Sequence, residues 1–288
     1  MRHTVIHVWT NDCCNKTYNN EDTSSYWGIG DLIRGTIKLY QLSLIMKFDF
    51  YIDTSLHPIS KFVVNQDHPY KDIVLEYRNK IEYFYIDELK DSLKKKLKNK
   101  DEDIILLTTN DKIIESIPIT DECKYIIKQI FKPNTEFQLY IDNYFNNYIY
   151  QNNENKSYNV CHFRLGDDEL VKYNKTDMDM DIFINTLLKN ENISSNDILL
   201  TDNNTLKQYI KNNVKIFTPD TDIKHIGIIN NNNYVESDLD IIKHTLLELI
   251  ILTKAKKINT FTIYRWISGF VDWISKIYNI NLNNYLIK

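Results

Sequence analysis

The order of apolar and polar positions divides this chain into an irregular first half and a regular second half. Residues 4 to 9, Thr4-Val5-Ile6-His7-Val8-Trp9, run through β-branched and aromatic types as a buried strand does. A loop ending in Trp27-Gly28-Ile29-Gly30-Asp31 follows. Asp31 is placed to cap a helix whose apolar stripe, Leu32, Ile33, Ile37, Leu39, Tyr40, Leu42 and Leu44, extends to about Lys47. Phe48 to Ile52 reads as the next strand, completing a β-loop-α-β unit, and His57-Pro58 marks the turn beyond it. From Val63 to Ile119 only Ile104 to Thr108 stands out, as a buried strand. Helical periodicity returns over 121–131 and 135–150, interrupted at Pro133.

The polar stretch Gln151-Asn152-Asn153-Glu154-Asn155-Lys156 breaks the pattern, and the expected lobes are therefore 1–150 and 151–288. The second alternates strand and helix: strands at 158–163, 197–201, 214–217 and 257–260, helices near 181–189, 204–212, 237–253 and 264–278. Ser237 with Asp240 has the spacing of a capping box. Such alternation predicts a parallel sheet covered on both faces, with ligands bound beyond the carboxyl ends of its strands. The expected fold class is α/β, two Rossmann-like lobes with parallel sheets facing a central cleft.

Composition adds constraints. With 43% hydrophobic and 12% aromatic residues in 288, the chain has apolar material for two cores. Its net charge of -4 gives no general attraction to nucleic acid or anionic membrane, so any anion must be bound locally. The lysine-rich stretch 90–100 runs into Asp101, Glu102 and Asp103 and reads as a solvated helix face. Asn230 to Asn233 reads as a surface loop. Cys13, Cys14, Cys123 and Cys161 lack the spacing of a metal site or disulfide scaffold, which fits a reducing compartment. Nothing activates a thiolate at Cys13-Cys14, which receive no role. The longest apolar run, Leu246 to Leu252, is interrupted by Glu248 and falls far short of the roughly 20 residues of a membrane span. A cytoplasmic protein is expected, with no membrane span and no nucleic-acid partner.

The most informative string is Cys161-His162-Phe163-Arg164-Leu165-Gly166-Asp167-Asp168-Glu169, because it puts polar residues at the end of a buried strand. A guanidinium offers a diphosphate two parallel charge-assisted hydrogen bonds, and Gly166 lets backbone approach a ligand. Two readings stay open: Arg164 grips a diphosphate, or it pairs with Asp167 or Glu169 on the surface while His162 is a satisfied core residue. Asp177-Met178-Asp179-Met180-Asp181 lacks the glycine and glutamate of a calcium loop and reads as helix capping, so no metal is expected. Tyr264, Trp266 and Trp273 could stack on a sugar, but the spacing of 266, 270 and 273 places them on one helical face turned to the core.

His162-Phe163-Arg164-Leu165-Gly166 resembles the H-x-R-x-G motif of the fucosyltransferase superfamily, which includes the α1,2- and α1,6-fucosyltransferases and the protein O-fucosyltransferases. Gly28 to Gly35 resembles that family's first glycine-rich loop and Leu199-Leu200-Thr201-Asp202-Asn203 its strand-end T-D motif. Glu248 to Ala255 with Asn259 to Trp266 resembles its closing segment. The resemblance covers about residues 158–280 and, less closely, 1–60.

It implies a GT-B type glycosyltransferase, inverting and metal-independent, that moves fucose from GDP-fucose to a hydroxyl of a glycan or glycoside. No cofactor is implied beyond the donor substrate. Arg164 would bind the β-phosphate, with His162 and Asp202 at the nucleoside end. Thr262, at the start of the final helix, would donate to phosphate, flanked in the donor-binding segment by Phe261 and Tyr264. Gly28 and Gly30 would let the first loop close over the donor. The residues 1–150 would be the acceptor side and 151–288 the nucleotide-sugar side. Leu165 stands where many members carry a second arginine. Asp167, Asp168, Glu169 and Asp31 are the candidate bases for the acceptor hydroxyl. The alternatives are another nucleotide-sugar donor, or a nucleotide-sugar-binding module without catalysis.

Overall fold

The run of β-branched residues at the start of the chain forms β1 (Thr4–Val8), buried along its whole length. In this computed structural model, residues 2–10, 27–85, 87–99, 103–151, 157–166, 189, 193–223, 226 and 236–287 are described. They fall into two compact units, Met1–Asn134 with Ile226–Tyr234, and Thr135–His225 with Val235–Lys288.

In the first unit β1 leads to α1 (Ile29–Met46) and β2 (Asp49–Asp53). There follow α2 (Lys71–Glu76), β3 (Glu82–Phe84), α3 (Leu89–Lys96), β4 (Ile104–Thr109) and α4 (Asp121–Ile130). The sheet is four-stranded and parallel in the order β2-β1-β4-β3. Val5, Leu39, Leu42, Phe48, Leu89, Leu93, Ile105 and Leu107 form the core between the sheet and α1 and α3. Burial of each such side chain stabilises the fold by roughly 1.5–3 kcal/mol.

The helix α1 begins three residues earlier than its polar signal predicts. Gly28 is the cap, and Asp31 is the third helical residue, reaching back to accept from the Gly28 amide at 3.2 Å. Gly35 sits mid-helix because α1 crosses the end of β4 there: a Cβ on it would lie 1.8 Å from the carbonyl oxygen of Thr109. The lysine-rich stretch is the helix face it reads as, α3 burying only Leu89 and Leu93, whereas α2 and β3 escape the sequence pattern because they have six and three residues.

The second unit carries α5 (Thr135–Tyr144), continued by a π-turn over Phe145–Ile149, then β5 (Val160–Arg164), β6 (Ile198–Thr201) and α6 (Asn204–Asn213). Then come α7 (Glu236–Thr253), β7 (Lys257–Thr262), α8 (Gly269–Tyr278) and β8 (Asn281–Leu286). Its sheet is again four-stranded and parallel, in the order β6-β5-β7-β8. The division between units thus falls at Asn134, ahead of α5 rather than after it. The physical reason is that Lys243 of α7 lies over the Tyr140 ring and Lys254 over the Phe145 ring, which tie α5 and its π-turn to the second unit.

Three further expectations need correction. The 214–217 segment is no strand: only Phe217 bridges, to Ile198, while Val214 and Ile216 turn toward the core. Ser237 lies inside α7, so it caps nothing. The last helix starts at Gly269 and not at Tyr264, because Thr262 ends β7 and its hydroxyl accepts from the Tyr264 amide at 3.0 Å, turning the chain. The edge strand β8 is an addition, hidden in the sequence by its three asparagines.

Candidate active site

The strand order of the second sheet places its topological switch between β5 and β7, since the chain leaves β5 toward β6 and then crosses back to β7. Ligands of open parallel sheets bind outside the carboxyl ends at such points. The last residues there are Arg164 and Thr262, paired in register across the two strands. Arg164 Nη1 donates to Asp202 Oδ2 at 2.7 Å, with the two side chains 19% and 7% exposed. The other carboxylate oxygen, Oδ1, accepts from the Leu165 amide at 2.9 Å. Burial pushes the Asp202 carboxyl upward, while the Arg164 charge and the Leu165 and Gly166 amides oppose that shift.

The other predicted residues separate by strand parity. His162 shares Arg164's face of β5 and is buried, its Nδ1 3.1 Å from Thr260 Oγ1. Burial, reinforced by the Arg164 charge, lowers its pKa to about 3, which leaves it a neutral ring at working pH. Phe261 faces the opposite way, inside the core, stacked between Phe163 at 4.8 Å and Tyr285 at 4.9 Å. Thr262 is buried and lies on the strand rather than at a helix N-terminus, so that part of its expected role has no structural basis. Tyr264 stacks on Trp266 just beyond it. Trp273 is core, as its spacing predicts, but Trp266 precedes α8 and is exposed.

Asp167, Asp168, Glu169, the Asp177–Asp181 run, Cys13 and Cys14 lie outside the described residues. Asp31, Gly28 and Gly30 belong to the first unit. There Asp31 is engaged with Arg34 at 2.9 Å as well as with the Gly28 amide, while Gly28 and Gly30 open α1. Among the described residues no group of three or more His, Cys, Asp or Glu side chains could hold a metal ion.

No protein-family model and no curated protein matches this sequence. Solved structures do match it in three dimensions. One is the NodZ α-1,6-fucosyltransferase co-crystallised with GDP, at a TM-score of 0.52 and 10% identity, covering 95% of this chain and 92% of that one. Another is fucosyltransferase NodZ from Bradyrhizobium, at 0.51 and 11%, covering 95% and 92%. The chain has the fold of these fucosyltransferases. The expected α/β class, with two parallel sheets, is therefore the observed one.

Within this fucosyltransferase fold the T-D-N string has three separate tasks. Thr201 Oγ1 accepts from the Asn203 amide, Asp202 holds Arg164, and Asn203 caps α6 by accepting from the Leu206 amide at 2.7 Å. Asp202 thus meets the arginine directly, a partner the sequence reading did not assign to it. Sequence reasoning also missed a buried ion pair. Lys207 Nζ lies 2.8 Å from Glu248 Oε1 and also donates to the carbonyl and hydroxyl oxygens of Thr221, whose hydroxyl donates to the same glutamate. Lys207 is the fourth residue of α6, and its only signal is a lysine on the buried face of that helix with Leu206 and Ile210. This network ties α6, α7 and the 218–223 loop together behind the strand tips.

Proposed function

We propose that the protein is a glycosyltransferase that moves fucose from GDP-fucose to a hydroxyl of a glycan or glycoside, with inversion and without a metal. The observation that carries this reading is Arg164 at the β5 tip, at the switch point of the second sheet, aimed by Asp202. Supporting it are the likeness in fold to a fucosyltransferase crystallised with GDP and the sequence resemblance at His162, Arg164 and Gly166. The second unit is then the nucleotide-sugar side and the first the acceptor side.

In this mechanism negative charge grows on the β-phosphate as the glycosidic bond breaks. The guanidinium stabilises that charge more in the transition state than in the bound donor, which is what accelerates the step. Asp202 fixes the plane of the fork in advance, so little reorganisation is needed as the charge develops. The neutral His162 ring, with the Gly166 backbone, serves the donor by hydrogen bonding rather than by charge. The acceptor hydroxyl attacks from the opposite face and gives its proton to a carboxylate, for which Asp167 and Asp168 are better placed in the motif than Asp31, already bonded to Arg34. Phe261 acts through the core, supporting the strand tips, and Thr262 and Tyr264 shape the turn beside the donor. A cytoplasmic location is part of the reading: Cys123 and Cys161 are buried free thiols, both pushed up by burial.

The test is turnover of GDP-fucose with a mixture of acceptors, alongside thermal-shift measurements with GDP, UDP and CDP. Arg164→Ala is expected to lower turnover at least about a hundredfold. Near-normal turnover in that variant, or stabilisation by GDP with no turnover in the native protein, would overturn the reading as an active transferase.

A further inference from the structure

The segment 218–223 has no regular structure, yet side chains of three helices hold it in place. At the start of α6 the Asn204 side chain donates to the Ile223 carbonyl and accepts from the Ile223 amide, both at 3.0 Å. One turn on, Lys207 donates to the carbonyl and hydroxyl oxygens of Thr221 at 2.7 and 2.8 Å, and another turn on, Lys211 pairs with Asp220. Tyr144 of α5 is hydrogen-bonded to the Asp220 backbone, and Glu248 of α7 accepts from the Thr221 hydroxyl at 2.7 Å. Positions 204, 207 and 211 form one stripe of α6, so that helix grips the segment along its length.

Register fixes where the segment emerges. Phe217 bridges Ile198 in the parallel sense, and its carbonyl accepts from the Leu199 amide. Carried forward from that bridge, Thr221 comes level with Asp202 and Ile223 with Asn204, as the paired Asn204 bonds require. Thr221 therefore flanks the carboxylate that aims Arg164, one strand spacing outside β6 and two, roughly 10 Å, from β5. A diphosphate held by Arg164 is too short to reach it, so the neighbour of this segment is another part of the donor. The sugar carbon has to stay open to the acceptor, which leaves the nucleoside.

The means of attachment is costly. Lys207 is 1% exposed and spends its ammonium hydrogens on Thr221 and Glu248. Removing both charges from water largely offsets their attraction, and an apolar pair of the same volume would join α6 to α7 about as well. An apolar pair has no means of fixing a loop carbonyl and hydroxyl at one point. We propose that Lys207 is a positioning residue for the donor: by fixing Thr221, it holds the 218–223 segment as the wall against which the nucleoside rests. This assignment rests on the reading of the second unit as the nucleotide-sugar side.

The test compares the native protein with a Lys207→Met, Glu248→Leu double variant, which keeps the buried volume and releases Thr221. GDP and inorganic pyrophosphate are titrated calorimetrically, and GDP-fucose turnover is followed with a mixture of acceptors. Affinity for GDP and the GDP-fucose KM should worsen about tenfold, with pyrophosphate affinity and kcat unchanged, because the lost support lies beside the nucleoside. Asn204→Ala frees the same segment at Ile223 without disturbing the buried pair, and it should weaken GDP in the same sense even where the double variant folds poorly. Native GDP affinity in every variant that folds overturns the proposal. So does an equal loss for GDP and pyrophosphate, which places the effect on Arg164 instead. A native protein that binds no GDP removes the transferase reading, and the nucleoside assignment with it.

Discussion

The two sheets have the same number of strands, the same parallel sense and equivalent switch points, yet their carboxyl ends are furnished in opposite ways. In the first unit the switch lies between β1 and β4, and the structure fills it. Trp9 is fully buried there, α1 presses Gly35 onto the Thr109 carbonyl, and the Thr36 hydroxyl accepts from both Trp9 Nε1 and His7 Nδ1 while donating to the Leu32 carbonyl. His7 Nε2 then accepts from the Thr109 amide, which makes the ring a neutral cross-link of β1, α1 and β4. Nearby polar groups are closed on each other: Asp53 with His68 at 2.7 Å, both buried, Lys38 with Asp111 at 3.4 Å, and Arg34 with Asp31 at 2.9 Å and the Asn110 carbonyl at 2.8 Å. His68 also spends its other nitrogen, accepting from the Tyr70 amide. In the second unit the equivalent position ends in a partly exposed arginine and a protruding aromatic pair. The difference between the tips lies in the aromatic pair and in where the arginine stands: Arg164 ends a central strand, whereas the equally paired and partly exposed Arg34 lies on α1.

That contrast can be broken at several points, the strongest being in the support of the second sheet. Glu248→Ala would strand the Lys207 ammonium in the interior and is expected to cost about 3–5 kcal/mol, read as a fall in the denaturation midpoint. A joint Lys207→Met and Glu248→Leu change should recover most of the loss, because the pair's desolvation is costly in itself. In the first unit Gly35→Ala drives a methyl into a backbone carbonyl and should cost up to about 3 kcal/mol by moving α1 from β4. Nucleotide binding in the surviving folded protein should be unchanged, if the first switch point is structural.

The buried histidines give a prediction of intermediate size. His7, His57 and His162 have pKa values lowered by burial to about 3 from 6.5. The unfolded chain therefore binds protons first, and stability is lost as pH falls below about 6.5 and on toward 3. Each ring contributes a slope of about 1.4 kcal/mol per pH unit, or about 2 kcal/mol between pH 7 and 5. His57→Asn keeps an acceptor for the Ile59 amide and removes one titration, so it should flatten the profile by about one third of that three-ring slope. An unchanged profile would mean that His57 titrates in the folded protein as it does in the unfolded chain.

The smallest effect discriminates best between the units. Asp202→Asn should reduce turnover about tenfold and diminish stabilisation by GDP, a tenth of the consequence of deleting the arginine itself. Asp53→Asn, at the tip of β2, should lower the melting temperature and leave the GDP-induced shift intact. Equal loss of nucleotide response in both would show the two carboxylates to be alike and erase the contrast.

What the sequence determined by itself was the alternation of strands and helices and the strand-tip arginine, because both are local. Buried parallel strands must be continuous apolar runs, as at Ile104–Thr109 and Ile198–Thr201, and a polar H-x-R-x-G string ending one of them is visible without a fold. Short elements such as β3 and an asparagine-rich edge strand such as β8 carry too few buried positions to leave a period. Only the tertiary structure decided which charge meets which. Arg164 and Asp202 are 38 residues apart, and Lys207 and Glu248 are 41 apart, so their pairing depends on strand order and register rather than on spacing. The same holds for Phe261 and Trp266. One residue of strand parity sends the phenylalanine into the core, and the late start of α8 leaves the tryptophan in water.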